Sequence, residues 1–127
     1  MVKEINENKI LLVEDDEVLT DMYLTKFKSE GMEYLSAPNG EEGLILARKE
    51  KPVLILLDIM MPKLDGFSVL AELKKDPKTK DIPVIILSNL GQDSDISKGR
   101  QLGAIDYVVK ASMTPSQIVD KAKQYLK

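Results

Sequence analysis

Five short apolar-rich runs recur along the chain, from Lys9 to Val13, Met32 to Leu35, Val53 to Leu57, Val84 to Leu87 and Ile105 to Val109. Each is of strand length, and the segments between them carry apolar residues at helical spacing. Leu19, Met22, Tyr23 and Phe27 share one face, as do Phe67, Leu70 and Ala71, and then Ile118, Val119, Ala122 and Leu126. A chain that alternates strand and helix in this way is driven to right-handed crossovers and a parallel sheet with helices on both faces. The runs at Val53 and Val84 show no polar alternation, as strands covered on both sides require. The expected architecture is α/β, a doubly wound five-stranded parallel sheet in a single domain spanning residues 1–127.

The punctuation supports these divisions. Gly31, Pro38-Asn39-Gly40, Pro52, Asp81-Ile82-Pro83, Gly91 and Gly103 fall at the junctions. Thr114 is placed to cap a last helix, with Pro115 at its first position and Gln117 closing a capping box. That helix is expected to run to Lys127 with no effector domain behind it. The fourth helix, from about Asp93 to Leu102, is polar and carries Gly99 in its interior, which predicts a mobile element.

Composition narrows the chemistry. With no cysteine and no histidine, thiolate nucleophiles, imidazole bases and zinc sites of the usual kind are excluded. Carboxylates, hydroxyls and lysines remain, and they favour hard, oxygen-preferring cations. A net charge of -3 with dispersed lysines offers no basic stripe for direct nucleic-acid contact. No apolar run is long enough to span a bilayer, and no apolar leader follows Met1-Val2-Lys3-Glu4, so a cytoplasmic protein is expected.

In open parallel sheets, ligands gather beyond the carboxyl ends of the strands. Here the first strand ends in Glu14-Asp15-Asp16, the third in Asp58, the fourth in Ser88-Asn89 and the fifth in Lys110. Carboxylates crowded at one sheet edge require protons, a cationic side chain or a divalent cation, and Mg²⁺ with retained waters fits this set. Phosphoryl chemistry follows, with Asp58 as nucleophile, Lys110 neutralising charge and Ser88 donating a hydrogen bond. Taken singly these residues have blander readings. Asp15 or Asp16 caps the first helix, Asp65-Gly66 makes a turn and helix cap, Ser88 is a loop hydroxyl and Lys110 a solvated charge. Their joint placement after four different strands favours a site.

Val13-Glu14-Asp15-Asp16, Asp58-Ile59-Met60-Met61-Pro62, Asp65-Gly66, Leu87-Ser88 and Gly103 through Lys110 resemble, in order and spacing, the pattern of response-regulator receiver domains of two-component signalling. The likeness covers nearly the whole chain and is nearest to single-domain regulators of the chemotaxis or sporulation type. It implies a (βα)5 flavodoxin-like fold with strand order 2-1-3-4-5. It further implies phosphoryl transfer to Asp58 from a histidine kinase or histidine phosphotransfer protein, and Mg²⁺, or Mn²⁺ in its place, held by Asp15, Asp58 and the Met60 carbonyl, with Glu14 acting through water. Lys110 would bind the phosphoryl group, and Ser88 and Tyr107 would form a switch pair that remodels the surface of the fourth helix, fifth strand and fifth helix for a downstream protein. Such a domain is a signalling phosphoacceptor and not an enzyme; it works as a monomer or weak dimer.

The chain departs from that pattern where Ala111 follows Lys110 in place of the usual Pro and its cis peptide, and where the bulkier Asn89 follows Ser88. Met60 and Leu90 stand at positions that tune phosphoryl lifetime in the family. Neither side chain orients an attacking water, so slow autodephosphorylation is expected. A receiver-like interaction module that no longer cycles phosphate is the alternative reading. A phosphohydrolase of the haloacid-dehalogenase sort fits less well because Asp15-Asp16-Glu17 breaks its Asp-x-Asp pattern, and a flavodoxin-like cofactor binder would need Gly, Ser and Thr where this loop is acidic.

Overall fold

Successive side chains of a strand point to opposite faces, and the apolar runs use both. In the computed structural model, which describes residues 6–126, Ile10 and Leu12 of β1 (Asn6–Val13) join Leu54 and Leu56 of β3 (Pro52–Asp58) and Ile85 and Leu87 of β4 (Val84–Ser88) on one side. That side is covered by α1 (Glu17–Ser29) and α5 (Pro115–Lys123), through Tyr23, Phe27, Ile118, Val119 and Ala122. The intervening residues Leu11, Val13, Ile55, Leu57, Val84 and Ile86 face the other way. There they meet α2 (Gly40–Glu50) and α3 (Gly66–Lys75), with α4 (Asp93–Gln101) packed at the margin through Ile96. Every residue of β3 and β4 is buried. Each fully buried aliphatic side chain contributes about 1.5–3 kcal/mol, so these strands anchor the fold.

The sheet is completed by β2 (Glu33–Ala37) and β5 (Asp106–Val109), all pairings being parallel in the order β2-β1-β3-β4-β5. This is the doubly wound order expected. Because the chain reverses winding direction at β1 and β3, the loops after those strands diverge and leave a crevice at their carboxyl ends. A 3-10 turn, Lys110–Ser112, joins β5 to α5.

Several local expectations are corrected. Met22 is 46% exposed, because the stripe that reaches the sheet from α1 runs through Leu19, Tyr23 and Phe27 at intervals of four and turns Met22 to solvent. In α3 the buried stripe is Val69, Leu70 and Leu73, while Phe67 and Ala71 are half-buried at its edge. The helix expected to reach Lys127 ends at Lys123, followed by turn-like bonds from Gln124, Tyr125 and Leu126, and Lys127 itself lies outside the described residues, as do Met1-Val2-Lys3-Glu4. The Thr114–Gln117 capping box forms as expected. Asp16, rather than Asp15, caps α1 by accepting from the Leu19 N–H at 3.1 Å. Asp65 caps α3 in the same way through Ser68.

Candidate functional site

With Asp16 spent on the helix cap, its two neighbours are left to the crevice. One oxygen from each of Glu14, Asp15 and Asp58 lies within 4.8 Å of the others. Glu14 and Asp58 are buried at 3% and 4% exposure, while Asp15 opens to solvent. The Lys110 ammonium enters between the buried pair, 2.6 Å from Glu14 Oε1 and 3.4 Å from Asp58 Oδ1. Backbone groups fix the carboxylates further. The Asp16 N–H donates to Glu14 Oε2 at 3.2 Å, and the Met60 N–H donates to Asp58 Oδ1 at 3.3 Å.

Electrostatics follow from this packing. Burial, with the charge of Glu14 beside it, pushes the Asp58 carboxyl up to about 7, against the opposing pull of Lys110. Burial works to lower the Lys110 ammonium, but the hydrogen bond with Glu14 and the charge of Asp58 outweigh it and hold it above its ordinary value. One ammonium thus faces three carboxylates in a partly dry pocket. An all-oxygen donor set with surplus negative charge and one open side suits a hard divalent cation that keeps several waters.

The remaining expected residues are close by. Ser88 is fully buried at the end of β4, its hydroxyl accepting from the Leu90 N–H at 3.1 Å. Tyr107 is turned inward, 8% exposed, and its hydroxyl donates to the Leu90 carbonyl. Burial raises the Tyr107 hydroxyl, keeping it a donor. Ala111 does not displace Lys110: no peptide is cis among the described residues, and the trans Lys110–Ala111 link starts the 3-10 turn with the lysine still aimed at Glu14. Asn89 and Met60 are exposed at the rim, Met60 at 58%.

Sequence reasoning missed the part played by Gly66, taken there only as turn and cap. A β-carbon at Gly66 would stand 2.2 Å from the Asp58 carbonyl oxygen and 2.6 Å from Ile59 Cα, so only glycine lets α3 start against the strand end that carries Asp58. Its N–H closes the loop by donating to the Ile59 carbonyl at 2.9 Å. The adjacent capping aspartate was the visible signal, and it explained the pair too easily.

The response regulator receiver domain family model matches residues 10–123. The chain is 41% identical over 124 residues to a probable transcriptional regulator, ycf27, of Porphyra purpurea, covering 98% of this chain and 49% of that protein. It thus spans about half the length of that relative and of several other curated regulators. Protein PilH of Pseudomonas aeruginosa is 42% identical over 104 residues, covering 80% of this chain and 84% of that protein. Among solved structures, the BeF3-activated N-terminal receiver domain of Klebsiella pneumoniae RstA superposes with a TM-score of 0.84 at 28% identity, covering 94% of this chain and 99% of that one. Fold order, acidic crevice and family match agree, and the chain belongs to the response regulator receiver domain family.

Proposed function

We propose that the chain is a phosphoacceptor whose Asp58 takes a phosphoryl group in a divalent-cation-dependent reaction. The observation that carries this reading is the meeting of Glu14, Asp15 and Asp58 within 4.8 Å with Lys110 inserted between the two buried members. The match to the response regulator receiver domain family and the likeness to a BeF3-activated receiver domain support it. Asp15, Asp58 and the Met60 carbonyl would hold Mg²⁺, or Mn²⁺, with Glu14 acting through water. When bound, the cation supplies charge neutralisation at the phosphoryl oxygens.

The donor is a phosphohistidine on a kinase or phosphotransfer protein. An Asp58 carboxylate oxygen attacks phosphorus, and the new P–O bond forms as the P–N bond breaks with its electron pair leaving on the imidazole nitrogen. Met60 N–H orients the attacking carboxylate, and Lys110 shifts from Glu14 toward the incoming oxygens. Ser88 and Tyr107 respond, biasing the surface of α4, β5 and α5 toward a downstream protein. The domain works in the cytoplasm as a monomer or weak dimer without direct nucleic-acid contact, and it turns over no substrate but its own acyl phosphate. With apolar Met60 and Leu90 at the rim, the acyl phosphate is long-lived; decay within seconds would contradict that.

Intact-protein mass spectrometry after incubation with acetyl phosphate or phosphoramidate tests the reading. A single phosphoryl adduct is expected that needs Mg²⁺ and is lost in Asp58→Asn. No adduct with these donors, nor with a phosphorylated kinase that bypasses any obstruction at Asn89, would replace it with a non-cycling interaction module.

A further inference from the structure

Among the residues of α4 only Gly99 is buried, in a helix whose other residues are polar apart from the half-buried Ile96. Helix propensity offers no reason for it, since glycine is among the poorest residues for a helix interior. Packing does. A β-carbon at Gly99 would lie 2.6 Å from Ile86 Cδ1 and 3.1 and 3.5 Å from Cδ2 and Cε2 of Tyr107. The tyrosine is thus held at two points, with its hydroxyl on the Leu90 carbonyl of the β4–α4 loop and its ring edge in the gap where α4 lacks a side chain. The neighbouring Lys98 places its ammonium 4.5 Å from the centre of the Phe67 ring, tying the same turn of α4 sideways to α3.

We propose that Gly99 is a positioning residue for Tyr107: the notch it leaves in α4 seats the inward tyrosine ring, so that ring and helix move as one body. A partner that grips the outer face of α4 therefore senses Tyr107 without touching it. Only this signalling consequence rests on the reading of Ser88 and Tyr107 as a switch pair; the packing claim stands apart from it.

The test uses an Ile86→Val background, which removes the Cδ1 atom and leaves Tyr107 as the contact at issue. Gly99→Ala is introduced there with Tyr107 present and with Tyr107→Ala. Melting temperature is measured, along with nitration of Tyr107 by tetranitromethane, using Tyr34, 37% exposed on β2, as internal reference. With Tyr107 present, Gly99→Ala lowers the melting temperature and raises Tyr107 nitration several-fold while Tyr34 is unchanged. In the Tyr107→Ala chain the same substitution raises the melting temperature, since only helix propensity is left. Equal effects in the two backgrounds, or unchanged nitration, would overturn the proposal. Should the Tyr107→Ala chain not fold, the nitration ratio decides alone. Neither readout needs a cation or phosphoryl donor, so a normal Asp58 adduct without coupling refutes this inference and leaves the phosphoacceptor reading intact.

Discussion

A carboxyl raised from its ordinary 3.8 to about 7 marks Asp58 as a group whose charge the fold tolerates poorly without compensation. Because the folded value lies above the unfolded one, this group favours the native state below its unfolded value, and that advantage is lost as pH rises through about 7. Asp58→Asn, in chelator, should therefore stabilise the protein at pH 8 by about 1–3 kcal/mol and add progressively less toward pH 5. Urea melts at both ends of that range check it, and a gain that grows toward acid would contradict it. Lys110 carries the opposite burden. Lys110→Met leaves Glu14 and Asp58 buried side by side without a cation, and should cost about 3 kcal/mol in chelator, much of it recovered in millimolar Mg²⁺. Equal losses with and without Mg²⁺ would show that the cation does not compensate the same charges. Both residues were legible from sequence as strand-end groups, but their inequality was not. Lys110 lies nearer Glu14 than Asp58, a detail that no spacing rule encodes.

Helix ends show how local chemistry fixes element boundaries. α5 starts on a reciprocal Thr114–Gln117 box with Pro115 in its first turn, so Thr114→Ala should cost about 1 kcal/mol. α2 ends on Lys51 with φ 46 and ψ 63, a left-handed conformation that glycine adopts without steric cost. Lys51→Gly should raise stability by about 0.5–1 kcal/mol in the same denaturant assay, and a loss there would mean that the Lys51 side chain does more than end the helix. Elements were legible where periodicity was strong: β3 and β4 are the runs without polar interruption, and both were found nearly to the residue. The stripes on α1 and α3 were less so. A helical wheel places Met22 on one flank of the stripe through Leu19, Tyr23 and Phe27, but packing against the sheet decides which flank is covered. α4 reads in sequence as a mobile element because it is polar and carries Gly99 in its interior, and the close approach of Tyr107 and Ile86 that gives that glycine its place is a tertiary fact.

At the scale of the whole molecule, strand order brings the ends of four separate strands into one site. β1 and β3 lie side by side at the centre of the sheet, so Glu14 and Asp58, far apart in sequence, finish on adjacent strand ends, and β4 and β5 deliver Ser88 and Lys110 to the same edge. That convergence was readable in advance because parallel α/β topology allows few arrangements. Gly66, which lets α3 begin against Asp58, was hidden by the ordinariness of an Asp-Gly turn. Whether this topology makes Asp58 a phosphoacceptor is tested by chemical trapping of the acyl phosphate. After reaction with phosphoramidate and Mg²⁺, borohydride reduces an aspartyl phosphate to homoserine, which peptide mapping can locate. Homoserine is expected at position 58, dependent on both donor and cation. Homoserine at Asp15 or Asp16 instead, or none anywhere in a chain that carries the phosphoryl adduct, would contradict it.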